Sequence, residues 1–434
     1  MTAQARFIPF ANFRFIAFAF FAGLLTVSVS LSAQTFTVLH TFTDGNDGAY
    51  PYAGLVMDAK GNLYGTANQG GYMNSVCQPA NQGCGTVFEL SPGRSGWAFR
   101  TIYTFRGSPN DGQGPYGRVA IGADGNLYGT TIDGGNENCL SGCGLVFALK
   151  PITACTTAAC PWAEKVLYEF QGGNTDGFYP TGDLAFDSSG NIYGTTTQGG
   201  ADNGPGMVYE LKPAHGQWTE TILHSFNPNG TDAANPYSGV ILDRSGNIYG
   251  TTPSGGVNNG GAVFELVPSA NGWTESLPFD DFQGNDGVSP MAGLLLEPSG
   301  ALVGATQADG TGNGGTVYTL TPSNGGWSFA TIYDFPGRCS DCGPWAKLVA
   351  DGKGNLYGTT QGYGGAGNWG YVFKLTPSGD GWVGTVLHRF TGGADGSTPY
   401  STLVLDSAGN IYGTTLLGGE SSNGGYGVVF EITP

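Results

Sequence analysis

Beyond residue 33, apolar residues come in runs of about four, separated by glycine, asparagine, aspartate and proline. This pattern predicts short β-strands joined by tight turns rather than helices. One recurring run is apolar at every position: Leu55-Val56-Met57, Val240-Ile241-Leu242, Leu403-Val404-Leu405. It predicts an innermost strand A, buried on both faces. A turn such as Asp243-Arg244-Ser245-Gly246-Asn247 follows, with residues suited to positive φ. Strand B is the Asn-(Leu/Ile)-Tyr-Gly-Thr run. Strand C is Val87-Phe88-Glu89-Leu90 or Val263-Phe264-Glu265-Leu266, which Pro92 and Pro268 are expected to end because proline cannot donate to a ladder. Strand D opens with Trp97, Trp162, Trp218, Trp273, Trp327 or Trp382 and carries a later phenylalanine.

The motif Gly-Asn-(Leu/Ile)-Tyr-Gly-Thr starts at Gly61, Gly125, Gly190, Gly246, Gly354 and Gly409, with a degraded copy at Gly300; spacings run from 54 to 65 residues. Such periods belong to propellers or solenoids. Seven four-stranded units predict an all-β, seven-bladed β-propeller spanning 34–434, with a linear β-solenoid as the alternative. The chain ends favour the ring. Phe36-Thr37-Val38-Leu39-His40-Thr41-Phe42 is a lone strand D, and the last unit stops after strand C at Val429-Phe430-Glu431-Ile432. In a ring, the N-terminal strand completes the last blade.

The stretches Gly246-Asn247-Ile248-Tyr249-Gly250-Thr251-Thr252, Gly255-Gly256 and Gly261-Ala262-Val263-Phe264-Glu265-Leu266 have counterparts in every unit. They resemble the GloVer tandem repeat of choice-of-anchor exported bacterial proteins. The strand A and B pattern is also similar to NHL-type propeller blades. The resemblance covers about Phe36 to Pro434 and implies an exported protein with no established activity, often with a C-terminal anchor. With no apolar tail before Pro434, free secretion is the expectation here.

Residues 1–33 read as a signal peptide. Arg6 and Arg14 flank an apolar stretch from Phe15 to Val29, and Ala33 offers a cleavage point. An uncleaved anchor is the alternative, but the stretch is shorter than the ~20 residues of a membrane span. The expected location is therefore secreted or periplasmic, with no membrane insertion after cleavage. Net charge is -17, and loss of the two arginines takes it to about −19, which disfavours nucleic acid and anionic lipid as partners. The eight cysteines form close pairs: Cys77/Cys84, Cys139/Cys143, Cys155/Cys160 and Cys339/Cys342. Local disulfides are the economical pairing for an exported chain. Cys339-Ser-Asp-Cys342 has zinc-like spacing but no second pair near it in sequence.

Candidate chemistry lies on the face of the D–A and B–C loops. Each D–A loop carries an aspartate before a proline: Asp47, Asp111, Asp176, Asp232, Asp286, Asp341 and Asp395. Turn formation explains them better than calcium binding, since calcium wants six to eight converging oxygens. No metal or other cofactor is expected. The residue after the proline is aromatic in five units: Tyr52, Tyr116, Tyr237, Trp345 and Tyr400, with Thr181 and Met291 as exceptions. A collar of these rings could stack on sugars or simply pack between blades. Two residues further on, Arg118, Asp183 and Lys347 break the run of small residues and are either ligand-binding or a charge network in a wet channel. Tyr363 and Trp369 form a further aromatic pair in the sixth B–C loop. His40, His224 and His388 share a strand D slot with Tyr103, Tyr168 and Tyr333, which reads as packing, so a histidine metal cluster or a Ser-His-Asp triad has no evident seat. The expected function is a monomeric, non-catalytic recognition module for an extracellular glycan or protein. A secreted propeller hydrolase, lyase or lactonase, and a purely structural surface protein, are the alternatives.

Overall fold

The computed structural model describes residues 34–434 except 73–76, 78–81, 153–161, 228–231, 271, 337–342, 363–366, 380 and 420–423. The leader, Cys155, Cys160, Cys339, Cys342, Asp341 and Tyr363 thus lie outside the described residues. Seven antiparallel sheets follow one another, each with four strands in the order A-B-C-D; in blade 2 the entering segment Gly112–Pro115 also pairs with strand B. Blade 1 is Val56–Met57, Leu63–Ala67, Thr86–Gly93 and Gly96–Thr104. Blade 2 is Ala120–Ile121, Leu127–Gly134, Leu145–Pro151 and Trp162–Glu169. Blade 3 is Ala185–Phe186, Ile192–Thr196, Met207–Ala214 and Gln217–Ser225. Blade 4 is Ile241–Leu242, Ile248–Thr252, Ala262–Ser269 and Gly272–Phe279. Blade 5 is Leu295–Leu296, Leu302–Ala305, Asn313–Ser323 and Gly326–Pro336. Blade 6 is Val349–Ala350, Leu356–Thr360, Tyr371–Ser378 and Gly381–Arg389. Blade 7 is Val404–Leu405, Ile411–Thr415 and Val428–Thr433, completed by Thr35–Thr41 as its strand D.

That last pairing closes the ring, with Thr35 opposite Thr433 and Thr41 opposite Val428. Seven blades around one axis are therefore a β-propeller, not a solenoid. The cores lie between blades: Phe42, Tyr412 and Val429 of the last blade pack with Leu55, Leu63, Phe88 and Leu90 of the first.

The repeat motif is explained contact by contact in blade 4. Gly246 takes the turn at φ +85°. Asp243 accepts the backbone N–H of Ser245 and Asn247 and the Asn247 side-chain amide. Ile248 is fully buried. The Tyr249 hydroxyl donates to Glu265 at 2.9 Å. Gly250 leaves room for the Phe264 ring. Thr251 donates to the Ala292 carbonyl of the next blade at 2.9 Å, a bond that Thr195 makes to Ser238 and Thr414 to Ala53.

Two expectations need correction. Strand C does not stop at Pro92 or Pro268. It runs on to the hairpin, with each proline opposite the strand D tryptophan (Pro92 with Trp97, Pro268 with Trp273). By then strand C has passed the end of strand B, whose last partners are Leu63 and Leu90, so the missing donor costs no B–C bond. Strand A is also shorter than its apolar run. Only two residues pair with strand B, because the preceding segment leans on the neighbouring blade: a Cβ on Gly117 would stand 2.7 Å from the Gly182 carbonyl oxygen.

Candidate functional site

The loop entering each blade is built to deliver one side chain to the axis. In the loops entering blades 2 and 3 the aspartate accepts local backbone N–H groups: Asp111 from Arg106 and Gly112, Asp176 from Gln171 and Gly177. The residue before the proline takes a left-handed conformation at Tyr50, Tyr179, Asn235, Ser289 and Thr398 (φ 55–60°). Such a conformation strains an L-residue by about 1–2 kcal/mol. The proline then packs on a glycine at the start of the previous blade's strand C; a Cβ on Gly144 would stand 2.6 Å from Pro180 Cδ, and one on Gly427 2.7 Å from Pro51 Cδ.

The next residue lands on the channel. All eight binding candidates line one cavity of ≈ 530 Å³: Tyr52, Tyr116, Arg118, Asp183, Tyr237, Trp345, Lys347 and Tyr400. The rings form a closed chain of contacts. Tyr52 stacks on Tyr116 (4.6 Å between centroids) and on Tyr400 (5.6 Å). Tyr116 meets Tyr237 edge-on at 5.6 Å, Tyr237 meets Trp345 at 5.8 Å, and Trp345 meets Tyr400 at 4.8 Å. Tyr237 also donates to the Tyr116 hydroxyl, and Gln361 to that of Tyr400. The rings are half-buried and cap the channel rather than standing apart as an open collar. The Trp345 indole N–H is enclosed and finds no acceptor among the described residues.

Beneath the cap lies a charged tier. The Arg118 backbone N–H and Nε both donate to the Asp183 carboxylate, at 2.9 and 3.1 Å. Lys347 makes no hydrogen bond or ion pair among the described residues. Its stem passes over Gly293, where an added Cβ would touch Lys347 Cβ at 3.6 Å. Burial, and then the nearby Arg118 charge, pull its ammonium down to about 8, against an opposing pull from Asp183. Of the other aromatic pair, Trp369 is remote from this cap; it packs against Gly392 in the loop entering blade 7.

The outer strands hold what sequence reasoning missed. The strand D slot read as packing faces the next blade's strand D, and the partner differs in kind from joint to joint. His40 stacks on Phe99, Phe279 on Phe329 and His388 on Phe36, at 3.7–3.9 Å. Tyr103 instead donates to Asp111 and Glu164, at 3.1 and 2.8 Å. Burial, then the Asp111 charge, lifts Glu164 above the usual carboxylate range. At the next joint Tyr168 donates to Asp176, and burial, then the Asp176 charge, raises Glu220 to about 7. His224, Asp232 and Glu275 meet at the third joint. A signal was present: Trp162, Trp218 and Trp273 are each followed two residues later by glutamate.

Cys77 bonds to Cys84 and Cys139 to Cys143, as the spacing suggested; both suit an oxidising compartment. No helix among the described residues is long and apolar enough to cross a membrane.

Residues 23–163 and 140–343 match the Gloeobacter/Verrucomicrobia repeat. The chain belongs to that family. No curated protein matches this repeat chain. Among solved structures it is similar to a provisionally assigned gluconolactonase, at 14% identity over 93% of this chain and 92% of that one, with a TM-score of 0.41. It is similar to PorZ, a surface component of the type-IX secretion system of Porphyromonas gingivalis, at 14% identity over 87% of this chain and 46% of that one, with a TM-score of 0.49. It is also similar to a gluconolactonase of Xanthomonas campestris, at 15% identity over 62% and 75% of the two chains, with a TM-score of 0.36. None of the three bears on the chemistry of this repeat protein's channel.

Proposed function

We propose that this propeller is an exported, non-catalytic recognition module that binds a carboxylate-bearing glycan at the aromatic end of its channel. The carrying observation is the convergence of five rings over a tier in which Arg118 and Asp183 neutralise each other and Lys347 is left over. In a chain of net charge -17 this is a local cationic spot under an apolar lid. Aromatic faces suit sugar rings, and a lysine in a poorly hydrated channel suits a carboxylate. The cap is held by stacking and two side-chain hydrogen bonds, which a sugar can replace like for like. Glycoside hydrolysis by the usual paired carboxylates needs two acids, whereas Asp183 is the single acid in the described channel lining and is engaged by Arg118.

The test is a glycan array, followed by calorimetry with neutral and uronic-acid oligosaccharides, on wild type and on the double variant Trp345→Ala, Tyr400→Ala. Two lost stacking contacts at about 0.5–1.5 kcal/mol each predict a loss of about 5- to 150-fold in affinity. Unchanged binding by the double variant removes the cap from the site. Turnover of a polysaccharide or lactone panel would replace the binding reading with an enzymatic one.

A further inference from the structure

The joint between blades 3 and 4 gathers three potential metal ligands from two blades. His224 lies on strand D of blade 3, Asp232 in the loop after it, and Glu275 on strand D of blade 4. His224 Nε2 is 3.3 Å from Glu275 Oε1 and 3.8 Å from Asp232 Oδ2. All three donor atoms lie within 4.8 Å of one another, and no other such group occurs among the described residues. The side chains are only 21%, 18% and 18% exposed. Both His224 Nε2 and Glu275 Oε1 are shielded from solvent, and neither makes a hydrogen bond: they are close, but not aligned on each other.

Comparison with the other joints shows what is particular here. At the first joint a tyrosine hydroxyl reaches both carboxylates and hydrogen-bonds each. The shorter imidazole at the third joint stops short of both. His40 and His388 each face one carboxylate, Asp47 or Asp395, and a stacked phenylalanine, so those slots lack a third ligand. Tetrahedral zinc, with bonds of about 2.0–2.2 Å to nitrogen and oxygen, sets its ligand atoms about 3.3–3.5 Å apart. The two edges from His224, 3.3 and 3.8 Å, are close to that, and the Asp232–Glu275 edge is within 4.8 Å. One nitrogen with two carboxylate oxygens is a donor set for zinc and its first-row neighbours. Asp232 is already oriented, its two oxygens accepting the Asn227 and Ala233 backbone N–H groups at 2.7 Å, which is the outer-shell support a ligand requires.

We propose that His224, Asp232 and Glu275 bind one divalent first-row cation of the zinc type, which fastens blade 3 to blade 4 and takes a fourth ligand from solvent. The site is separate from the channel and does not depend on what the channel binds.

The experiment uses the full, disulfide-oxidised protein, stripped with EDTA and titrated calorimetrically with ZnCl2, beside His224→Tyr and Glu275→Gln. His224→Tyr installs the residue that the first two joints use at this slot, and metal-free thermal melting checks that both variants fold. Wild type is expected to take one equivalent of Zn2+ more than either variant, and its Tm to rise by roughly 3 °C at saturating metal, with no shift in the variants. Cysteine or surface binding would add equally to all three proteins and cancel. Should His224→Tyr misfold, Glu275→Gln carries the comparison. Equal stoichiometry in wild type and a folded variant overturns the proposal. Binding of CaCl2 that is lost in the same variants overturns the cation class.

Discussion

At the scale of single residues, the repeat is a set of local jobs. The asparagine and aspartate of the A–B turn hold each other, the tyrosine reaches strand C, and the threonine crosses to the next blade. The turn chemistry was readable from sequence because its partners lie within four residues. The threonine's partner was not, because for Thr251 of blade 4 it lies 41 residues on, in the next blade. The residues at the axis were readable for a different reason: they sit at a fixed offset from the repeated proline, so alignment of the units placed them. Their closed contact chain could not be read that way, since Tyr116 meets Tyr237 across the blade that supplies Thr181. Lys347 gives this scale its prediction. A lysine lowered to about 8 is charged below that pH and neutral above it. Affinity for a uronic-acid ligand should therefore be flat below pH 8 and fall as pH rises through it. Lys347→Met should bind weakly at every pH, with that dependence gone. Calorimetry between pH 6 and 9.5 checks this, and a flat wild-type profile excludes Lys347 as the anchor.

At the scale of strands, packing rather than propensity decides. The strand B glycine is required by the aromatic ring that strand C lays across it. In blade 6 a Cβ on Gly358 would come within 2.6 Å of both Leu348 Cδ2 and Phe373 Cζ. Gly358→Ala should cost about 1–3 kcal/mol through overpacking. Gly352→Ala, in the open A–B turn of the same blade, is the control, because nothing lies within 4 Å of its added Cβ. Denaturant melts of the two variants check this; equal midpoints would refute the packing account. Hydrophobic pattern located all four strands per blade but overstated strand A, since an apolar run does not distinguish pairing with strand B from leaning on the next blade.

At the scale of the whole molecule, closure is the feature on which the site geometry rests. Strand Thr35–Thr41 covers the edge of Val428–Thr433 and supplies both Phe36, stacked on His388 of blade 6, and His40, stacked on Phe99 of blade 1. Deleting residues 35–41 exposes a strand edge and strips both neighbouring joints. The truncated protein should aggregate and lose its cooperative melt, as size-exclusion chromatography and circular dichroism would show. A truncated form that stayed monomeric and melted as before would show that the ring does not depend on this strand.

The differing joints of the ring have a mechanical consequence. Aromatic stacks join blades 4 to 5, 6 to 7 and 7 to 1, while half-buried glutamates stand at the joints from blade 1 to blade 3. A carboxyl group raised to about 7 by burial, as in Glu220, makes the folded form less stable as pH climbs from the ordinary carboxylate range through that value. A rise in pH up to about 7 thus loads negative charge onto the arc that carries these glutamates. A circle assembled from near-identical wedges acquires a seam, and a protease or denaturant working above about pH 7 would find its first opening there.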